Sequence, residues 1–219
     1  MTQIVLSGVS KRYPGGHDAL ANVSLTVETG ELVFITGHSG AGKSTLLKLM
    51  VAIERPTTGS VIVNGQNIGS LRARGIPFLR RNFGLVFQDH KLLFDRNAFE
   101  NVMLPLDISG FDRREGARRA RAALDKVGLL QKEKARPITL SGGEQQRLCI
   151  ARAIVHRPAV LLADEPTGNL DAEYATEIGT LFSDFNQVGV TVVLATHDAQ
   201  LAARLNPRVV TIRGGRLVE

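Results

Sequence analysis

The sequence predicts a mixed α/β fold with an antiparallel β lobe, a helical lobe inserted midway and a glycine-rich loop at the centre of the core. Three observations lead there. Apolar Leu32 to Ile35 precede a loop, Gly37 to Thr45, and Leu46, Leu47, Leu49 and Met50 follow it at helical spacing. Short alternating apolar runs occupy residues 2–10 and 19–28. A mostly helical pattern from Asn97 to about Arg136 separates that region from two unbroken apolar runs, Val160–Ala163 and Val190–Ala195.

In chain order, residues 2–10 and 19–28 read as antiparallel strands joined by a turn at Pro14-Gly15-Gly16. Tyr13, just before the turn, serves packing or offers an aromatic face for a base. Leu32–Ile35 is a buried strand, and Phe34-Ile35-Thr36-Gly37-His38-Ser39-Gly40-Ala41-Gly42-Lys43-Ser44-Thr45 carries G-x-x-x-x-G-K-[ST] between that strand and a helix. Gly37, Gly40 and Gly42 allow tight turning and close approach of a ligand. The loop N–H groups and the helix N-terminus then face an anion. Lys43 reaches β- and γ-phosphates, and the Ser44 hydroxyl suits Mg²⁺.

Pro56-Thr57-Thr58-Gly59 is a turn and Ser60–Val63 a strand. Gly84–Phe87 is a short strand ending at Gln88, which reaches Mg²⁺ or an attacking water if that strand lies beside the loop-bearing one. In the helical lobe, Pro105 and Gly110 are expected interruptions. Arg113–Arg121 reads as the solvated face of an amphipathic helix continuing to Leu124 and Val127.

Leu140-Ser141-Gly142-Gly143-Glu144-Gln145-Gln146 opens another helix. Ser141 and Glu144 form a capping-box pattern, and the two glycines suit a helix end that a phosphate can approach. Val160–Ala163 is a buried strand running into Asp164-Glu165. Two adjacent carboxylates are costly in a core unless a cation or water uses them. Asp164 suits Mg²⁺, and Glu165 suits a water-orienting base. Val190–Thr196 is a further strand, leading to His197, a candidate γ-phosphate donor. Residues 208–218 read as a terminal hairpin.

Composition sets limits. The 219 residues are 43% hydrophobic and 22% charged, ordinary for one domain or two joined lobes. No apolar run approaches the roughly 20 residues of a membrane span, and the first residues lack a signal-peptide pattern. The lone Cys149 fits a reducing cytosol and reads as a small buried residue. The five histidines form no zinc-type cluster. A net charge of +6 permits nucleic acid, an anionic membrane surface or an acidic partner.

Taken together, these motifs resemble the ATP-binding cassette family along essentially the whole chain. The resemblance rests on Gly37 to Thr45, Gln88, Leu140 to Gln146, Leu161-Leu162-Ala163-Asp164-Glu165-Pro166, Asn169-Leu170-Asp171 and Thr196-His197-Asp198. It implies a single cassette domain over 1–219, with a RecA-like P-loop core and β-rich lobe from about 1–88 and 157–219. A helical lobe with the signature motif fills about 89–156. It also implies ATP and Mg²⁺ as ligands. Tyr13 would stack on adenine, residues 37–45 would bind phosphates, and Ser44, Gln88 and Asp164 would hold the metal. Gln88, Glu165 and His197 would serve hydrolysis. Two copies would close head to tail, with Leu140, Ser141, Gly142, Gly143, Glu144 and Gln145 of each acting on the other's ATP and Asp171 crossing the interface.

A finer likeness to the family's cell-division branch rests on Pro77–Arg81, Phe87–Leu93, Asp95-Arg96 and Asn101-Val102. It implies an integral membrane partner gripped near Gln88, contact with division-septum proteins, and a peripheral position on the cytoplasmic face of the bacterial inner membrane. Phe78, Leu92, Leu93 and Phe94 are candidate groove residues for that partner, or plain core. Thr167–Asp171 is shared with lipoprotein-releasing and macrolide-exporting relatives, the alternative reading. A nucleic-acid-acting cassette fits poorly, since the helical lobe is compact and holds no coiled coil.

Overall fold

A computed structural model describes residues 1–168 and 170–218. Strands β1 (Thr2–Arg12) and β2 (Asp18–Glu28) form an antiparallel pair, followed by β3 (Leu32–Thr36) and helix α1 (Lys43–Met50). Strands β4 (Thr58–Val63) and β5 (Gln66–Asn67), helix α2 (Ile76–Arg80) and strand β6 (Phe83–Val86) come next. Helices α3 (Ala98–Ser109), α4 (Arg113–Lys126) and α5 (Gly142–Ile154) build the helical lobe. Strand β7 (Val160–Asp164), α6 (Ala172–Gln187), β8 (Thr191–Ala195), α7 (Ala199–Leu205), β9 (Arg208–Arg213) and β10 (Arg216–Val218) complete the chain.

Two sheets result. The smaller runs β2-β1-β4-β5 and is antiparallel throughout. The larger runs β10-β9-β3-β8-β7-β6, parallel from β9 to β6, with β10 antiparallel at the edge. Its central strands read as unbroken apolar runs because both faces are covered. Along β3 the side chains alternate between two cores. Val33 and Ile35 join the β lobe and α1, whereas Phe34 joins the helical lobe. Strand β8 divides the same way, with Val193 on one side and Val192 and Leu194 on the other. Burial of one such side chain contributes roughly 1.5–3 kcal/mol.

Helix α1 buries Leu46, Leu47, Leu49 and Met50 against the first core, as its spacing predicts. In the helical lobe, Asn97 caps α3 through a capping box with Glu100. Gly110, at φ 77°, ends that helix. Pro105 does not interrupt it, contrary to expectation, and lies inside the continuous α3. A proline removes one ladder donor and crowds the preceding turn. Here the cap at Asn97 and the packing of Val102, Met103 and Leu106 on α4 and α5 hold the helix through that defect.

Helix α4 buries Gly116, Ala120, Ala123 and Leu124 and turns its arginines outward, as expected. Arg118 and Arg119 pair with Glu115 on that face. The Cys149 thiol is buried and burial pushes its pKa up to about 12, so it behaves as a small core residue.

Strand β6 meets the end of α5 very closely at Gly84. A Cβ there would stand 2.4 Å from the Ala153 carbonyl oxygen and 2.8 Å from Leu161 Cδ1. Gly84→Ala is therefore expected to lose about 1–3 kcal/mol of stability by overpacking, measured as a lowered urea midpoint at unchanged slope.

Candidate functional site

Ligands in parallel α/β sheets bind beyond the carboxyl ends of the strands, and four neighbouring strands end together here. Ile35 of β3 pairs with Ala195 of β8, Ala195 with Asp164 of β7, and Ala163 of β7 with Val86 of β6. The residues just beyond these ends converge on one cleft of about 500 Å³. It is lined by the loop from His38 to Thr45 together with Tyr13, Gln88, Glu165 and His197.

Gln88 reaches the cleft by a route other than the one expected. Its strand, β6, is not beside β3, since β8 and β7 lie between them. The chain continues past Val86 and carries Gln88 back over the strand ends.

The loop backbone is fixed by contacts only glycine permits. Gly42, at φ 113°, precedes α1, and a Cβ there would lie 2.5 Å from the Ala19 carbonyl oxygen. At Gly37 it would lie 2.3 Å from the Ile212 carbonyl oxygen. Ala41 is buried, its N–H donating to His38 O and its carbonyl accepting from Gly215 N, each at 3.1 Å. The His38 ring bonds its neighbour's carbonyl, Ser39 O, at 2.7 Å.

Lys43 is only 7% exposed, and a buried ammonium needs partners. Its Nζ donates to Gly37 O at 2.7 Å and His38 O at 3.3 Å, and lies 3.2 Å from Glu165 Oε1. Glu165 Oε2 stands 2.8 Å from His197 Nδ1, so the carboxylate bridges lysine and histidine. Glu165 adopts φ 48°, left-handed for a side-chain-bearing residue, at a cost of roughly 1–2 kcal/mol. Its N–H donates to Ala195 O at 2.8 Å, which holds the turn that aims the carboxylate inward.

Asp164 differs from its neighbour. Burial pushes its carboxyl above the usual carboxylate range; the Ser44 hydroxyl opposes this and the Glu165 charge adds to it. Its Oδ1 is buried without a hydrogen-bond partner. An orphaned buried carboxylate oxygen beside a serine hydroxyl is the donor set a hard divalent cation takes, so the residues present fit Mg²⁺.

Tyr13 sits at the cleft mouth. Its N–H bonds His17 O at 2.9 Å, its hydroxyl lies 3.4 Å from Thr45 Oγ1, and Lys11 Nζ is 5.0 Å from the ring centroid. Turn support and cleft lining are thus combined in one residue. His17, Ala19 and Gly168 also line the cleft and were not anticipated. The turn at Pro14-Gly15-Gly16 that starts β2 brings in the first two; the sequence marks the turn but not its place beside the phosphate loop.

The segment Leu140–Gln145 lies outside this cleft. Ser141 caps α5, its Oγ accepting from Glu144 N at 3.3 Å while Glu144 Oε2 accepts from Ser141 N at 3.0 Å. The two glycines have different reasons. A Cβ at Gly143 would stand 3.0 Å from Tyr174 Cδ1, whereas Gly142 has open space around it. Gln145 donates to Pro137 O and Leu140 O at 3.1 Å each and braces the turn before the helix. Asp171 caps α6 by accepting from Tyr174 N at 3.0 Å, and Asn169 lies outside the described residues. Of the candidate groove residues, Leu92 is core and Leu93 half-buried, while Phe78 and Phe94 are exposed.

Removing the Asp164 charge should separate stability from chemistry. A carboxyl whose pKa is raised by folding stabilises fully below its unfolded value, and that contribution is lost as pH rises through the folded value. Asp164→Asn is therefore expected to raise the melting temperature without metal at neutral pH. The gain should vanish below the ordinary carboxylate range, as followed by thermal melts across pH.

The chain is similar to known proteins over most of its length. Residues 20–168 match the sequence profile of the ABC transporter family. The chain is 56% identical over 209 residues to the cell division ATP-binding protein FtsE of Escherichia coli K12, covering 95% of this chain and 94% of that one. It is 44% identical over 218 residues to FtsE of Streptococcus pneumoniae D39, covering 100% and 95%. Its fold superposes on the ATP-binding cassette MJ0796, in a dimeric post-hydrolysis state bound to ADP and Pi, with a TM-score of 0.91 and 36% identity over 99% and 97% of the two chains. The chain belongs to the ABC transporter family, as an ATP-hydrolysing cassette.

Proposed function

We propose that this chain is the ATPase subunit of a cell-division complex, closing as a head-to-tail dimer around two ATP molecules and acting on the membrane protein FtsX to regulate cell-wall hydrolysis. One observation carries the reading. The cleft at the strand ends holds a phosphate loop, a lysine, a paired carboxylate and a histidine, while a second glycine-bearing helix N-terminus, at Ser141, lies outside it. Gly142 there has open space around it, which suits a nucleotide held by another copy.

In the reaction, the loop backbone, with Lys43, binds the β- and γ-phosphates, and Tyr13 offers its ring to the base. Glu165, already aimed into the cleft, orients the water for in-line attack on the γ-phosphate. His197 donates to charge that grows on the γ-phosphate oxygens. Ser44, Asp164 and Gln88 would hold Mg²⁺, which when bound would neutralise phosphate charge. From the other copy, Ser141–Gly143 closes the site, with Asp171 at the seam.

A groove of about 470 Å³ supports docking to a membrane partner. It is bordered by Pro77, Phe87, Lys91, Pro105, Ile108 and Arg152, next to the Gln88 segment. Phe78 and Ile108 stand 63% and 64% exposed near it, and among the described residues no helix is long and apolar enough to cross a membrane. On the reading as a division ATPase, the chain would sit peripherally on the cytoplasmic face of the inner membrane, reached by other septum proteins.

Lys43→Ala should largely abolish ATP binding. Glu165→Gln should keep binding, accumulate an ATP-bound dimer and lower hydrolysis by roughly 10²–10⁴-fold. Phosphate release and size-exclusion chromatography with ATP test both, and rapid turnover by Glu165→Gln removes Glu165 from this role. FtsX recovered with the chain from solubilised membranes supports the division reading. A lipoprotein-releasing or macrolide-type permease in its place overturns it.

A further inference from the structure

The stretch after Gln88 is held in an unusual way. His90 and Lys91 both adopt left-handed backbone, at φ 57° and 50°. Neither is glycine, and two such residues in succession persist only where the surroundings impose them. Helix α5 supplies that imposition. Arg152 sends Nη2 to His90 O at 2.6 Å and Nη1 to Lys91 O at 2.7 Å, and Cys149 Sγ donates to His90 O at 3.1 Å. The far end of the stretch is tied separately. The buried Asn101 accepts from Leu93 N at 2.9 Å and donates to Leu93 O at 3.0 Å.

A planar guanidinium gripping two successive carbonyls fixes both position and orientation, which a point charge does not. Arg152 is three helical turns beyond Ser141 on the same helix. It also borders the groove beside Lys91.

We infer that Arg152 is a positioning residue for hydrolysis: by clamping the His90 and Lys91 carbonyls to α5, it makes the placement of Gln88 in the cleft depend on the helix whose other end is Ser141. Movement of Ser141 towards a nucleotide is then transmitted along a rigid helix to the backbone two residues from Gln88. The same clamp gives a partner in the groove a handle on Gln88. This inference rests on the proposed role of Gln88 in the cleft, while the clamp itself can be measured apart from it.

The test uses the full chain with Arg152→Lys, which keeps the charge and loses the fork, and Arg152→Gln. Hydrogen exchange should quicken at least tenfold at the His90 and Lys91 amides in both variants, with α5 and the loop 37–45 unchanged. In the kinetics, kcat should fall about tenfold in Arg152→Gln and less in Arg152→Lys, with KM for ATP within twofold. In a Gln88→Ala background, Arg152→Gln should cost nothing further. Unchanged exchange at residues 90 and 91 in Arg152→Lys overturns the clamp. A full additional loss of kcat in the Gln88→Ala background overturns the route through Gln88. A Gln88→Ala chain with normal kcat would instead remove Gln88 from the reaction, leaving the clamp to stand or fall on exchange.

Discussion

Closure of both faces of the parallel sheet is the constraint on which the molecule depends. Val33 and Ile35 belong to one core and Phe34 to another, so the loop-bearing strand cannot slip by a residue without exchanging the two. Its neighbours are locked in the same way. With their registers fixed, β3, β8, β7 and β6 end nearly level, and the residues that follow them have nowhere to go but the common edge. The cleft is thus a consequence of core packing, and its side chains inherit their precision from strands that are wholly buried.

Charge within the cleft is distributed unequally between two adjacent carboxylates. Glu165 is bracketed by Lys43 and His197, and its left-handed backbone turns it away from the strand direction. Asp164 stays on the strand, faces Ser44, and keeps one oxygen buried and unpaired. Burial, with the neighbouring Glu165 charge adding to it, raises the proton affinity of Asp164. The difference in partners, an unpaired oxygen on Asp164 and a doubly paired carboxylate on Glu165, is the physical basis for giving one residue to a cation and the other to water.

Helix α5 connects regions that the core keeps distinct. Its first turn is capped and exposed at Ser141 and Gly142, its middle fills the helical-lobe core with Leu148 and Ile150, and its last turns hold the Gln88 segment and abut Gly84. Near its start, Arg147 pairs with Glu177 at 2.7 Å, and Gly143 packs on the Tyr174 ring, which ties it to α6. The capped end at Ser141, the groove beside Lys91 and the segment carrying Gln88 into the cleft therefore share one rigid element.

Much of this was written in the sequence, because the responsible signals are local. The phosphate loop, the capping box at Ser141, the turn at Pro14-Gly15-Gly16 and the continuous apolar strands each depend on residues within a few positions of one another. The resemblance to cassette ATPases followed from those same local strings. Strand order did not: whether the strand before Gln88 lies beside β3 was open from the sequence, and β8 and β7 in fact stand between them. Pro105 was read by its local rule, and packing from α4 and α5 overrode it. His17, the orphaned oxygen of Asp164 and the grip of Arg152 on His90 join residues far apart in the chain. The sequence by itself determined which groups exist and what each can bind. Tertiary structure decided which of them meet, since burial on both faces of a sheet depends on partners that no short window of sequence contains.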